Sequence, residues 1–256
     1  MNLSLKEQVR RFLPRSFLPH SILAGPLRGA FIYTSWHDYP GAILGATEKP
    51  LLEWFHHHVS AGETWIDAGA HYGYTAIALC RLVGPAGRVV AFEPILSTAG
   101  CIARTRELNG LGQLRIVPLG LAAGPAVETR RLPTVRGMAD STIPHGAWEE
   151  PISVASFDTV WALLCERNSA VHGVKIDVQG MELSVLEGMR ATLTLYQPKL
   201  IVEFHAGVDR RSLLNLLATC GYRAEGTPID PGEAGPVSYA DDKSYAFHHS
   251  RQRALV

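Results

Sequence analysis

The chain has 256 residues, 46% of them hydrophobic and 19% charged, enough apolar material for one sizeable core with a small appendage. Its 24 basic and 24 acidic residues cancel, so no global field recruits nucleic acid or an anionic membrane. No apolar run approaches the roughly 18 residues of a membrane span.

Residues 1–60 read as a cap segment ahead of a main domain, 61–256. Leu5, Val9, Phe12 and Leu13 share one helical face, with Lys6 and Arg10 elsewhere, until Pro14 and Pro19 break the helix. A basic amphipathic segment can lie on a membrane surface, but a short helical cap packed on the main domain is the preferred reading. The arginines and prolines also interrupt any signal-peptide core, so a cytoplasmic location is expected. Cys80, Cys101, Cys165 and Cys220 form no C-x-x-C pair and read as buried free thiols of a reducing compartment. Residues 48–59, EKPLLEWFHHHV, form a helix with Pro50 in its first turn. Consecutive helical residues point about 100° apart, so His56, His57 and His58 cannot converge on one metal ion and are solvated surface.

From Thr64 onward strands and helices alternate. Strand 64–68, helix 73–83, strand 88–93, helix 97–109 and strand 114–119 come first. An irregular piece, 120–150, follows, with a hairpin near 127–135. A strand near 152–155, a helix near 158–167, strand 172–177, helix 181–194, strand 199–204 and helix 210–220 come next, then strands 222–226 and 243–249. Alternation of this kind gives a doubly wound, mostly parallel sheet. The last two strands have no crossover helix between them, which fits antiparallel neighbours.

The turn after the first core strand reads Asp67-Ala68-Gly69-Ala70-His71-Tyr72-Gly73. A dinucleotide fold prefers G-x-G-x-x-G there, so a nicotinamide-dependent oxidoreductase is the weaker reading. An acid at the strand end is poor company for a pyrophosphate and good company for a cation. S-adenosylmethionine carries an ammonium and a sulfonium and no phosphate, and Gly69 and Gly73 let the backbone approach it. Glu93 ends the second strand about 20 residues past the turn, where an acid accepts both ribose hydroxyls. Pro94 follows it.

The stretches WIDAGAHYGYTAI, GRVVAFEP, KIDVQGMELSVLEGM and PKLIVEFH, in this order and spacing, resemble the FkbM family of S-adenosylmethionine-dependent methyltransferases over about residues 40–205. The resemblance implies a class I (Rossmann-like) methyltransferase fold with strand order 3-2-1-4-5-7-6 and an antiparallel strand 7. It implies methyl transfer to oxygen, a hydroxyl of a sugar or natural-product small molecule. The sequence departs from the family where His71 stands for its usual asparagine and Gln179 for the acid of D-V-E-G. GATE, residues 45–48, is similar to the family's glycine–aromatic–glutamate element, which implies that Glu48 reaches the cofactor.

In doubly wound sheets ligands sit beyond the strand C-termini. Asp177 there, with Glu203 and His205 on the neighbouring strand, are the candidate catalytic residues. His205 is the favoured base for the acceptor hydroxyl, with Asp177 as its substitute or as a positioning group for donor or acceptor. The same carboxylate, carboxylate and imidazole could hold a divalent ion, a less favoured reading. Trp36, His37 and Tyr39 are candidates to line an acceptor pocket. The stretch 134–150 is the candidate lid that selects the acceptor. A non-catalytic nucleoside-binding module of the same fold is the third reading.

Overall fold

Strands that are apolar at nearly every position have no face to give to water, so they must be covered on both sides. The computed structural model, which describes residues 10–142, 149–164, 169–230 and 237–250, shows that cover. The chain enters through strands β1 (Leu18–Ser21) and β2 (Phe31–Thr34), then helices α1 (Pro40–Leu44) and α2 (Lys49–His58). Alternation follows as β3 (Thr64–Ala68), α3 (Tyr74–Val83), β4 (Arg88–Phe92), α4 (Leu96–Asn109) and β5 (Leu114–Val117). An inserted run comprises β6 (Gly120–Leu121), β7 (Glu128–Val135), β8 (Met138–Ala139) and β9 (Glu149–Ala155). The second half holds α5 (Phe157–Leu164), β10 (Gly173–Ile176), α6 (Glu182–Glu187), α7 (Arg190–Tyr196), β11 (Lys199–Phe204), α8 (Arg210–Thr219), β12 (Thr227–Pro228) and β13 (Lys243–Phe247).

The main sheet runs β12-β13-β11-β10-β3-β4-β5. In sheet-strand terms this is 3-2-1-4-5-7-6 read from β5, parallel from β5 to β11 and antiparallel at β13. Period-two alternation splits the core. Trp65, Val89 and Ala91 face one layer with α3, while Ile66, Ala68, Val90 and Phe92 face the other with α6. Ile22, Leu27, Ile32, Ile43, Leu51 and Phe55 share the first layer with Trp65 and Ile77, so the N-terminal segment packs onto the sheet domain. Strand β2 is tied to α4 by three bonds: Phe31 N–H to Asn109 Oδ1 at 2.9 Å, the Asn109 amide to the Phe31 carbonyl at 2.7 Å, and Tyr33 N–H to Thr105 Oγ1 at 3.0 Å. Cys80, Cys101 and Cys220 are buried free thiols, and Cys165 lies outside the described residues. His56, His57 and His58 are exposed.

Four expectations are corrected. The hairpin expected at 127–135 is one strand, β7, paired along β9 and turning only at Arg136–Gly137 into β8. The single helix expected over 181–194 is two. The Gly188 carbonyl accepts from Asp158 N–H at 3.0 Å, and the Asp158 carboxylate accepts from Ala191 and Thr192 N–H at 2.8 and 3.0 Å, which starts α7 afresh. The strand expected at 222–226 is a lone bridge, Tyr222 to His249, then the two-residue β12. Arg223, Ala224 and Glu225 swing out to solvent at this sheet edge, and Gly226 N–H turns to the Tyr239 hydroxyl instead. At the N-terminus Leu5 and Val9 lie outside the described residues, and Phe12, expected to be packed, is 90% exposed.

Gly188 has an ordinary helical φ of −74°, so alanine there would normally stabilise by about 0.4–1 kcal/mol through the unfolded chain. A Cβ would instead sit 2.0 Å from the Ala122 carbonyl oxygen. Gly188→Ala is therefore expected to destabilise by about 1–3 kcal/mol in urea unfolding, the scale of overpacking. A gain in stability would show that the break between α6 and α7 has slack.

Candidate active site

The carboxyl ends of β3, β4 and β10 meet around a cavity of about 290 Å³. Its closeness begins with Gly69. At φ +79° it turns the chain off β3, and a Cβ there would lie 1.8 Å from the Asp177 carbonyl oxygen. Glycine is thus required by the close approach of two strand ends. His71 follows in the left-handed region at φ +48°, and Gly73 at +87° is the N-cap of α3.

Glu93, at the end of β4, holds this turn. Its Oε2 accepts from His71 N–H at 2.9 Å and its Oε1 from Ile95 N–H at 3.0 Å. Burial pushes its carboxyl up to about 8 against those two bonds. Glu93 lines the cavity with Gly69, Ala70, His71, Pro94, Glu48, Asp177 and Glu203. Tyr72 does not: its hydroxyl donates toward Asp38 Oδ2 and the Arg136 carbonyl, both at 3.3 Å. Tyr39 and Asp38 reach the wall, whereas Trp36 packs edge-on to His20 and His37 pairs with Asp38.

Asp67 is displaced from its expected part. It is fully buried behind the wall, where Thr75 Oγ1 donates to Oδ2 at 2.7 Å. The cation it meets is Lys175, whose Nζ stands 3.4 Å from Asp67 Oδ1, 3.2 Å from Asp177 Oδ2 and 3.2 Å from the Gly69 carbonyl. Burial works against the ammonium, but Asp177, Asp67, Glu48 and Glu203 outweigh it and hold the Lys175 pKa above the ordinary lysine value. Burial likewise pushes Asp177 up, and Lys175 and His205 overcome this and hold it below the usual carboxylate range. In the sequence Lys175 is one letter of an apolar strand. A lysine flanked by Val174 and Ile176 in a strand covered on both sides was the signal that it has a buried partner.

The expectation that His205 faces the acceptor is also corrected. It follows β11, is 3% exposed and lies off the cavity wall. Nδ1 is 2.7 Å from Glu182 Oε1, and Nε2 is 2.9 Å from the Gln179 amide. Burial favours the neutral ring, yet the Glu182 bond and the Asp177 and Glu203 carboxylates push it up to about 9. An imidazole already protonated at neutral pH takes no further proton. Glu182 supports this ring and also accepts from Gly180 N–H at 3.1 Å.

Glu203 is on the wall. Burial first, then Asp177 and Glu48, push its carboxyl up to about 8, while Ser244 Oγ donates to Oε2 at 2.9 Å. Burial and the charge of Asp177 raise Glu48, which stands in the left-handed region at φ +56°. Asp177, Glu203 and His205 each offer a ligand atom within 4.8 Å of the others, a spacing that a divalent ion could use. Gln179, which also lines the cavity, interposes its amide there, 3.3 Å from Asp177 Oδ1.

The mouth is roofed by the inserted strands. Leu121, Leu132, Met138, Ile152 and Val154 line the cavity from that side. The β7–β8 turn is clasped down: His71 Nε2 is 3.0 Å from the Arg136 carbonyl, and Thr98 Oγ1 donates to the Gly137 carbonyl at 2.8 Å. Ser141 N–H and Oγ–H both donate to the Gln179 carbonyl. Residues 143–148 of the expected lid lie outside the described residues.

The sequence profile of the Methyltransferase FkbM domain matches residues 67–224. No curated protein matches the chain. Among solved structures it is similar to a methyltransferase FkbM from Methylobacillus flagellatus, with 18% identity and a TM-score of 0.48 over 82% of this chain and 52% of that one. The chain thus spans about half of that protein. It is also similar to the O-methyltransferase TomG from Streptomyces achromogenes, solved with S-adenosylmethionine, at 13% identity and TM-score 0.49 over 80% of each chain. A third is the Aeropyrum pernix fibrillarin with bound S-adenosylmethionine, at 16% identity and TM-score 0.47, covering 91% of this chain and 88% of that one.

Lys175→Met leaves Asp67 and Asp177 buried without their cation and is expected to cost about 3–5 kcal/mol near neutral pH. Because Asp177 is held low, its share of stability is present above the ordinary aspartate pKa and is lost as pH falls through its lower folded value. The deficit of the variant should therefore shrink as denaturation is measured at progressively lower pH. A deficit that is constant with pH would assign Lys175 a packing role alone.

Proposed function

The chain belongs to the FkbM methyltransferase family, and from that premise we propose that it uses S-adenosylmethionine to methylate a hydroxyl of a sugar or natural-product small molecule. The observation that carries the reading is the charge of the cavity wall. Asp38, Glu48, Glu93, Asp177 and Glu203 line it, five acids against Arg10, Arg136 and a Lys175 already paired to two carboxylates. Such a wall favours a cationic cofactor and disfavours a pyrophosphate, which counts against a nicotinamide enzyme. The Tyr74 hydroxyl, buried on the same wall without a partner, is a polar atom left over for a ligand.

Glu93 would hold the ribose hydroxyls, with lone pairs beyond the two it already commits. Asp177 and Glu48 would balance the ammonium and sulfonium. The apolar faces of Pro94, Leu121, Ile152 and Val154 would enclose the base. When bound, the cofactor supplies a methyl group whose carbon–sulfur bond breaks with its electron pair leaving on sulfur. Glu203 is the proton acceptor for the hydroxyl. It reaches the cavity, and its raised carboxyl is a stronger base than Asp177, whose two oxygens are committed to Lys175 and Gln179. Two neighbouring carboxyls whose environments push their pKa values apart divide the work in this way. His205 is a positioning residue behind Asp177 and Gln179. Residues 1–60 act as a cap on the methyltransferase domain, 61–256.

Calorimetry should show binding of S-adenosylhomocysteine and none of NAD. Glu93→Ala should weaken that binding by roughly 1.5–3 kcal/mol, the scale of hydrogen bonds to a charged group. Unchanged affinity in the folded variant would remove Glu93 from the site.

Methyl transfer from labelled donor, with the acceptor found by screening hydroxylated sugars and polyketides, tests the base. Glu203 is protonated below about pH 8 and ionised above it, so turnover should rise with pH through that value. Glu203→Gln should lower the rate by about 10²–10⁴ with donor affinity nearly intact. Chelator should have no effect, since Lys175 and the His205 imidazolium already supply cations beside Asp177. Full turnover in Glu203→Gln would move the base elsewhere, and loss of activity in chelator, restored by magnesium or manganese, would assign the three-residue cluster to a metal.

A further inference from the structure

Helices α2 and α3 leave between them a second cavity of about 630 Å³, bounded on its third side by the turn at Gly25, Pro26 and Leu27. Among the described residues, none that lines it also lines the cavity at the strand ends. On α2 the lining residues are Lys49, Leu52, Glu53, His56 and His57, whose spacings of three and four make one helix face. On α3 they are Ala78, Arg81 and Leu82, spaced in the same way. The floor is aliphatic: Leu27, Leu52 and Ala78 belong to the core cluster that holds Trp65 and Ile77, and Leu82 packs against it. Lys49, His56, His57 and Arg81 are exposed around it, with Glu53 as the one acid. His56 and His57, which cannot share one metal ion, thus both face onto the same space. The turn is held in place. Gly25 stands at φ +74° with no room for a Cβ, which would lie 2.7 Å from the Gly45 carbonyl oxygen. Arg28 N–H donates to the Gly25 carbonyl at 3.1 Å, and the Arg81 guanidinium donates to the Pro26 carbonyl at 3.4 Å.

We propose that this second cavity binds an aliphatic carboxylate, its chain on the leucine floor and its head between Lys49 and Arg81. The size is that of a small-molecule site, and an aliphatic floor with a few polar groups at its edge is the usual composition of one. No Phe, Tyr or Trp among the described residues lines it, so a sugar or a flat ring finds no aromatic face to stack on, whereas a flexible alkyl chain needs none. The charge selects the head. Lys49 and Arg81 less Glu53 leave one positive charge before either imidazole is counted, which matches a single carboxylate and opposes a cation. The guanidinium fork suits the two oxygens of a carboxylate, and its tie to the Pro26 carbonyl holds it at the edge of the cavity. Because the floor is core and the turn is fixed, little chain has to be ordered when the ligand enters. The inference rests on this cavity alone and stands apart from the methyl-transfer reading.

The test is calorimetric titration of the full chain with octanoate, 1-octanol, octyltrimethylammonium and acetate. The expected result is saturable binding of one octanoate per chain, weakened by salt, with the neutral alcohol and the headgroup alone each bound more weakly and the cation not bound. Lys49→Gln with Arg81→Gln should weaken octanoate binding roughly tenfold, the scale of two exposed ion pairs. Glu53→Gln should strengthen it roughly threefold, since it removes the opposing charge and leaves the floor untouched. All three positions are exposed, and unchanged thermal melting would show that the variants fold. No saturable binding of octanoate would overturn the proposal, as would binding of octanol or octyltrimethylammonium as tight as that of octanoate. Unchanged affinity in both the Lys49→Gln, Arg81→Gln variant and Glu53→Gln would place the octanoate elsewhere on the protein and overturn it as well.

Discussion

One buried ammonium organises the centre of this molecule. Lys175 enters from β10 and is shared by Asp67 of β3, Asp177 beyond the end of β10 and the carbonyl of Gly69. Two carboxylates at neighbouring strand ends, out of water, would repel each other and each would lose its hydration. The lysine between them removes both difficulties, and each acid in turn keeps the lysine charged. The turn at Gly69 can then pass hard against the Asp177 backbone, a contact that any Cβ would forbid. The shape of the cavity floor follows from this arrangement, which is why Asp67 belongs to the foundation of the site and not to its surface.

Above that floor the remaining acids are set apart by their surroundings. Asp177 sits beside cations and amide hydrogens and stays ionised, whereas Glu203 has burial and two other acids around it and holds its proton to about pH 8. His205, intrinsically the side chain best suited to proton transfer near neutrality, is drawn off by Glu182 and held charged. Gln179 stands between Asp177 and His205, its amide nitrogen 3.3 Å from Asp177 Oδ1 and 2.9 Å from His205 Nε2, and adds no further carboxylate beside Asp177.

The roof has a different origin. The inserted strands share little with the main core, and a small apolar cluster of Ile95, Ala122, Ile152 and Val154 supports them. What holds them over the cavity is polar: His71, Thr98 and Tyr72 reach carbonyls of the β7–β8 turn, and Ser141 reaches Gln179. Bonds of this kind are individually modest and exchangeable with water, so the roof can loosen without disturbing the sheet. The oddly placed His71, in the left-handed region and pushed down to about 3 by burial, is neutral and suited to such a clasp.

The order of the elements, the parallel core, the antiparallel last strand and the glycine turn facing Glu93 were legible in the sequence. They rest on local signals: apolar runs of strand length, glycines at a strand end, an acid at the next strand end, and a final strand pair with no helix between. The match of the FkbM profile to residues 67–224 and the observed sheet order agree with that reading. Side-chain partnership was not legible. Sequence alone placed Asp67, Glu203 and His205 near strand ends but could not say that Lys175 takes Asp67 away from the cavity or that Glu182 takes His205. Nor could it say that Asp158, from another helix, takes the Gly188 carbonyl and the Ala191 and Thr192 N–H groups and so splits a helix. Those outcomes depend on which groups, distant in the chain, compete for the same few ångströms. Local periodicity is set by neighbours three or four residues apart, whereas charge pairing and close approach are set by the packing of whole elements, and only the tertiary structure decides them.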